Sequence, residues 1–237
     1  MHVSHRIYAH RLLQLFLCSG LCIALAILPG CSLQEARDEA RRMKSANNLR
    51  ELGLAVYDYE ATNKALPKRA SKDKDGKPLL SWRVELLPYL GQAELYNEFR
   101  HDEPWDSEQN IKLLQKMPEV FRYPKSQAKP GMTVYVAPYG AKTIWDLDIA
   151  NFLDVADGVS NTIMIAEVAD SAAVPWTKPD DFDMTINNLL EVFGCSIAGG
   201  NCAFMDGSVR FVSKTIAEES LMAMITPSGG EKAIDIP

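Results

Sequence analysis

Residue types able to do acid–base or nucleophilic chemistry are few in this chain and unevenly placed. Three of its four histidines, His2, His5 and His10, and two of its five cysteines, Cys18 and Cys22, fall within the first 30 residues. Beyond them stand His101, Cys31, Cys195 and Cys202. A Ser-His-Asp or Cys-His apparatus would have to be built on His101 alone. No Gly-x-Ser-x-Gly elbow, His-Glu-x-x-His pair or phosphate-cradling glycine loop accompanies it. Carboxylate-only chemistry, as in glycoside hydrolysis, stays open. It needs one carboxyl kept protonated by burial or by a close like charge. Asp157 and Asp206 are taken up by turns and most other acids sit in polar runs, whereas Glu167 lies in the apolar run 162–168 (TIMIAEV). The competing expectation for Glu167 is a strand-end residue paired with Lys or Arg.

Other residues point to cross-linking or binding. Cys195 and Cys202 flank 196–201, which contains Gly199-Gly200. With Ala198-Gly199 as the turn they fall opposite each other, at a Cβ separation of roughly 4.5–5.5 Å. A disulfide worth about 2–3 kcal/mol is then expected in an oxidising compartment, with two buried free thiols as the alternative. Asp102, Glu103, Asp106 and Glu108 form one acidic cluster and Asp180, Asp181 and Asp183 another. Neither follows an EF-hand pattern, and they read as a helix N-terminus and a solvated loop. No metal, cofactor-binding or catalytic residue is assigned, and no cofactor is expected. Trp176, between Pro175 and Pro179, is the tryptophan expected at the surface and the candidate ligand contact. Trp82 is expected in the core, and Trp105 in either place.

The elements that position these residues begin with a leader. A short start carrying Arg6 and Arg11 runs into the apolar segment 12–28 (LLQLFLCSGLCIALAIL), the pattern of a secretory signal. As a permanent span it is marginal. It ends in Leu28-Pro29-Gly30-Cys31, which resembles the lipobox of bacterial lipoproteins, where the cysteine is acylated and becomes the new N-terminus. Cys31 is therefore the expected lipidation site, with an uncleaved anchor as the alternative. Removing 1–30 leaves 207 residues carrying 23 basic and 31 acidic side chains, a net charge of −8. An acidic surface without basic clusters excludes nucleic acid and electrostatic membrane attachment. The expected partners are the membrane, through a lipid, and an envelope protein.

From Ser32, 32–63 reads as one helix, charged at first and then carrying Leu49, Leu52, Val56 and Tyr59 as an apolar stripe. A polar loop follows over 63–78. Short helices are expected over 81–87 (capped by Ser81), 92–99 and 108–117. Strands are expected over 133–137 and 162–168. Asp206-Gly207 reads as a two-residue hairpin turn, placing Phe204 opposite Val209 and Cys202 opposite Phe211. Thr215 with Glu218 reads as a capping box opening a helix to Ile225. The sum is α+β: a long N-terminal helix packed on an antiparallel sheet, a short helical insert and a C-terminal helix.

Several segments carry a resemblance: Glu39-Ala40-Arg41-Arg42, Asn47-Asn48-Leu49, Gly53-Leu54-Ala55, 76–88 (GKPLLSWRVELLP), 102–107 (DEPWDS), 157–167 (DGVSNTIMIAE), 174–180 (VPWTKPD) and 206–211 (DGSVRF). Together they resemble the planctomycete-type pilin-like proteins that carry a domain of unknown function, family 1559, with its C-terminal His-x9-Asp-Gly signature. The resemblance implies a pilin-like α+β domain over 64–237, behind a signal segment at 1–30 and a lipid tether and helix at 31–63. Two departures qualify it. No Gly-Phe-Thr-Leu-x-Glu prepilin leader precedes Glu35, so filament assembly by the pilin route is not expected. Ser196 stands where the signature has histidine. The expected function is a non-catalytic, lipid-anchored extracytoplasmic module with a structural or interaction role at the cell envelope. The alternatives are an extracytoplasmic solute- or saccharide-binding protein and a carboxylate-based hydrolase.

Overall fold

The structure is a computed structural model that describes residues 29–140, 143–145, 158–183 and 189–226, with only the backbone at 29–32. Residues 1–28 of the expected signal segment and Asp157 lie outside the described residues, and of Cys31 only the backbone is described. The chain divides into two compact units, Met1–Met43 and Lys44–Pro237. Within the first, the described part is a charged run of helix. Arg41 pairs with Asp38 at 3.0 Å and Arg42 with Glu39 at 2.5 Å, one turn apart. Among the described residues no helix is long and apolar enough to cross a membrane.

The helix itself, α1 (Pro29–Asn63), has the expected span. From Lys44 onward its apolar stripe is buried: Leu49, Leu52, Ala55 and Val56 are at most 2% exposed. The sheet they meet has the order β10-β9-β6-β4, all antiparallel, with β4 at Tyr135–Val136, β6 at Ile163–Glu167, β9 at Gly199–Phe204 and β10 at Val209–Ser213. β6 and β9 are interior strands, and every residue of both is buried. That explains why 163–166 is apolar throughout and does not alternate. A C-terminal helix, Glu218–Ile225, packs on β6. The fold is therefore α+β, with a long helix on an antiparallel sheet.

A helical insert separates α1 from the sheet. β1 (Ala70–Lys72) and β2 (Pro78–Ser81) form a small antiparallel pair. Ser81 then caps α2 (Trp82–Glu85) by accepting from the Arg83 amide at 3.3 Å. α3 (Ala93–Glu98) and α4 (Asn110–Leu113) follow, the latter shorter than the expected 108–117 because its last turn tightens into a 3-10 segment at Leu114–Lys116. Two further strand pairs close over this insert: β3 (Met132–Thr133) with β7 (Val174–Pro175), and β5 (Pro138–Tyr139) with β8 (Phe182–Asp183).

Two local expectations are corrected. The β9–β10 register is slipped by one, pairing Val209 with Ala203, Arg210 with Cys202 and Phe211 with Asn201. A two-residue turn of type I′ needs positive φ at both central residues. Only Gly207, at φ 80°, takes it, because a residue with a Cβ resists that region. The loop instead spans three residues, with the Phe204 amide donating to the Ser208 carbonyl at 2.9 Å. Cys202 therefore shares a face with Arg210, whose guanidinium lies 3.5 Å from the Phe204 ring centre. The capping box also does not form. Thr215 Oγ1 bonds Ser213 Oγ at 2.8 Å, and the helix starts after Ala217 without a side-chain cap.

Candidate functional site

Glu167, at the end of β6, is 1% exposed and, among the described residues, pairs with no Lys or Arg. Its Oε1 accepts from Ser45 Oγ and, at 3.1 Å, from Asn201 Nδ2. Its Oε2 accepts from the Asn201 amide at 2.9 Å and from Cys195 Sγ at 2.8 Å. All four contacts are donors, the pattern that suits an ionised carboxyl. A second layer orients them. Ser45 spends its one proton on Glu167, so Tyr135 Oη donates to Ser45 Oγ at 2.7 Å and accepts in turn from Asn48 Nδ2 at 3.4 Å. Burial, and then the Glu167 charge, push the Tyr135 hydroxyl and the Cys195 thiol above their usual ranges, which keeps both protonated as donors. The cluster draws on α1, β4, β6, β9 and the loop before β9, and it clamps the helix to the sheet.

This geometry corrects the disulfide. Cys195 and Cys202 are free thiols. The tight turn is Ile197-Ala198, closed by a Ser196–Gly199 bridge, so Cys202 pairs with Ala166 and Arg210 and never meets Cys195. Ser196, at the signature's histidine position, closes that turn by donating from Oγ to the Gly199 carbonyl at 2.7 Å. Gly194, at φ 76°, and Gly200 let two backbone segments cross beside Glu167. A Cβ on Gly200 would sit 2.7 Å from Gly194 Cα and 3.1 Å from Glu167 Cβ.

The surface expectation for Trp176 is also corrected. It is fully buried, donates from Nε1 to the Leu114 carbonyl at 3.0 Å, and stacks on Phe121 at 5.7 Å between ring centres. The flanking prolines mark a loop that turns its tryptophan inward. Asp181, read as part of a solvated loop, is buried as well. Its Oδ1 accepts from Arg83 at 2.5 Å, from the Ala137 amide at 2.9 Å and from Trp82 Nε1 at 3.2 Å. Burial pulls the Arg83 guanidinium down and pushes the Asp181 carboxyl up, and their mutual attraction works against both shifts. His101 bonds the Tyr96 carbonyl at 3.0 Å and stacks on the Tyr96 ring. Glu85 beside it is raised above the ordinary carboxylate range by burial, with His101 and the Tyr96 hydroxyl opposing. Among the described residues no three His, Cys, Asp or Glu side chains are arranged to hold a metal ion.

Among the described residues, one open feature is a groove of about 340 Å³ lined by Lys77, Pro78, Pro104, Trp105, Asp106, Lys178, Pro179 and Asp180. Three chain segments meet there, and β2 ties the other two in place. Its Leu79 carbonyl accepts from the Trp105 amide at 2.9 Å, and its Ser81 amide donates to the Thr177 carbonyl at 3.0 Å. Trp105 is partly buried against the core, with the Lys178 ammonium 5.7 Å from its ring centre. Lys178 also pairs with Asp180 at 2.8 Å. Sequence reasoning named Trp105 without placing it. The three segments belong to the motifs GKPLLSWRVELLP, DEPWDS and VPWTKPD, which lie far apart in the sequence and converge only in the fold.

Comparison with known proteins assigns part of the chain. Residues 34–146 match the family described as "Protein of unknown function (DUF1559)", so that stretch belongs to this family. No curated protein and no solved structure matches the chain.

Proposed function

With residues 34–146 placed in a family whose description names no activity, we propose that the protein is a non-catalytic, lipid-anchored extracytoplasmic module. Its pilin-like α+β domain acts at the cell envelope by binding. The observation that carries this reading is the environment of Glu167. The one carboxyl that the sequence offers as a buried acid is shut beneath α1, with both oxygens already bonded to four donors. A general acid must reach its substrate's leaving atom, and Glu167 is 1% exposed. The sheltered Glu85 is hemmed by Tyr96 and His101. Among the described residues, the groove at Trp105 is open to solvent, which favours the solute-binding alternative within the same reading.

The test is a panel of polysaccharide and ester hydrolase assays on wild type, Glu167→Gln and Glu85→Gln. No turnover above background is expected from any of the three. Turnover in the wild type that disappears in either variant would replace the binding reading with a carboxylate hydrolase.

A further inference from the structure

We propose that the Trp105 groove is a binding site for a neutral saccharide. The inference rests on the reading of the protein as a binder and names what is bound.

The apolar part of the groove's lining is stiff: one indole and the rings of Pro78, Pro104 and Pro179. Its rim carries two cations, Lys77 and Lys178, and two anions, Asp106 and Asp180. The rim therefore sums to zero charge, and a ligand of either net sign meets as much repulsion as attraction. The same rim offers ammonium donors and carboxylate acceptors around the edge of an aromatic face. That is the complement of a pyranose, which has an apolar C–H face and a circumference of hydroxyls that both donate and accept. A flat apolar platform with a few convergent polar groups is also the general make-up of a small-molecule site, and tryptophan supplies such a platform with little conformational entropy to lose.

Occupancy of the groove by its own side chains is slight. Lys178 stands 5.7 Å from the Trp105 ring centre, near the outer limit of about 6 Å for a cation–π contact, so the ring is only loosely covered. Lys178 and Asp180 are both partly exposed and pair with each other, and a surface pair of this kind is weakly held. A hydroxyl can insert between them. Asp106 and Lys77 are exposed, and among the described residues no side chain pairs with either. Both keep their hydrogen-bonding capacity for a ligand. The volume, about 340 Å³, is at the lower end of ligand sites and suits one or two sugar rings.

The experiment uses the full chain, purified in detergent, and titrates it calorimetrically with neutral hexasaccharides of β-linked glucose, N-acetylglucosamine and mannose, and with a ten-residue polyproline peptide. Saturable binding of at least one hexasaccharide is expected, weakened ten-fold or more by Trp105→Ala and several-fold by Asp106→Ala. Asp106 is exposed and unpaired, so its variant keeps the test sound if Trp105→Ala unfolds. Absence of binding to all three sugars, or equal binding by wild type and Asp106→Ala with a folded Trp105→Ala, overturns the saccharide site. Binding of polyproline alone overturns it too, but leaves the protein a binder. Sugar cleavage with Asp106→Ala still weakening binding would instead sink the non-catalytic reading and leave the groove standing.

Discussion

At the scale of single residues, Glu167 carries the most consequence. Its replacement by leucine strands the Ser45 hydroxyl, the Asn201 amide and side chain and the Cys195 thiol as buried donors without an acceptor. Each such group costs about 1–3 kcal/mol, so Glu167→Leu should lower the unfolding free energy by about 3 kcal/mol or more. Glu167→Gln, which keeps one acceptor oxygen, should cost less. Urea denaturation of the three proteins ranks them, and equal midpoints would show that the cluster holds nothing. The thiols give a second reading at this scale. Cys202 is fully buried and Cys195 is engaged as a donor with its acidity suppressed. A mass-tagged alkylating reagent should therefore label neither quickly in the native protein and both after denaturation without reductant. One or no tag on the denatured, unreduced protein would restore the disulfide. The isolation of Glu167 in an apolar run was legible in the sequence. Its partners were not, because they come from positions as far as 122 residues away and are a hydroxyl, an amide and a thiol in place of the cation that charge alone suggests.

Elements were legible where periodicity decided them. Leu49, Leu52 and Val56 are buried at the steps that the stripe implied, and Ile163–Glu167 is a central strand as its unbroken apolar run implied. Register was not legible, since it turned on whether Asp206 would accept positive φ and on which residues made the turn after Cys195. A single slip there changed the cross-strand partner of every residue in β10. Close approach was equally hidden. Gly200, placed just after the expected Ala198-Gly199 turn, lies in β9 where the strand passes Gly194. Gly200→Ala should cost about 2 kcal/mol as overpacking against backbone that cannot give way, and the shift of the thermal midpoint relative to wild type measures it. An unchanged midpoint would mean that the crossing is looser than the 2.7 Å separation implies.

For the whole molecule, the proposed attachment to the envelope rests on Cys31. With the leader's apolar run ending at Leu28-Pro29-Gly30-Cys31, a fatty-acid analogue fed to cells should label the wild type and not Cys31→Ser. Equal labelling, or an intact Met1 on the mature chain, would replace the lipid by a permanent anchor. The expectation at this end of the molecule comes from one contiguous stretch of sequence, because a leader is a local signal. The groove is the opposite case. Residues 77–78, 104–106 and 178–180 are neighbours only after the insert has folded back on β2, and no window of sequence contains them together.

Both walls of that groove end in the core. Asp181 follows Asp180 directly and is fixed by Arg83, while the Thr177 carbonyl and the Trp105 amide hang from β2 two residues apart. The groove is thus a preorganised hollow, not a flexible cleft that must be ordered on contact. A ligand entering it forfeits little chain entropy, and its capture should be governed by how fast it arrives and how well it fits. The same rigidity ties recognition to integrity. Strain that loosens the ion pair beneath would spoil the hollow's shape before the domain melts, so the binding face reports on the soundness of the core behind it.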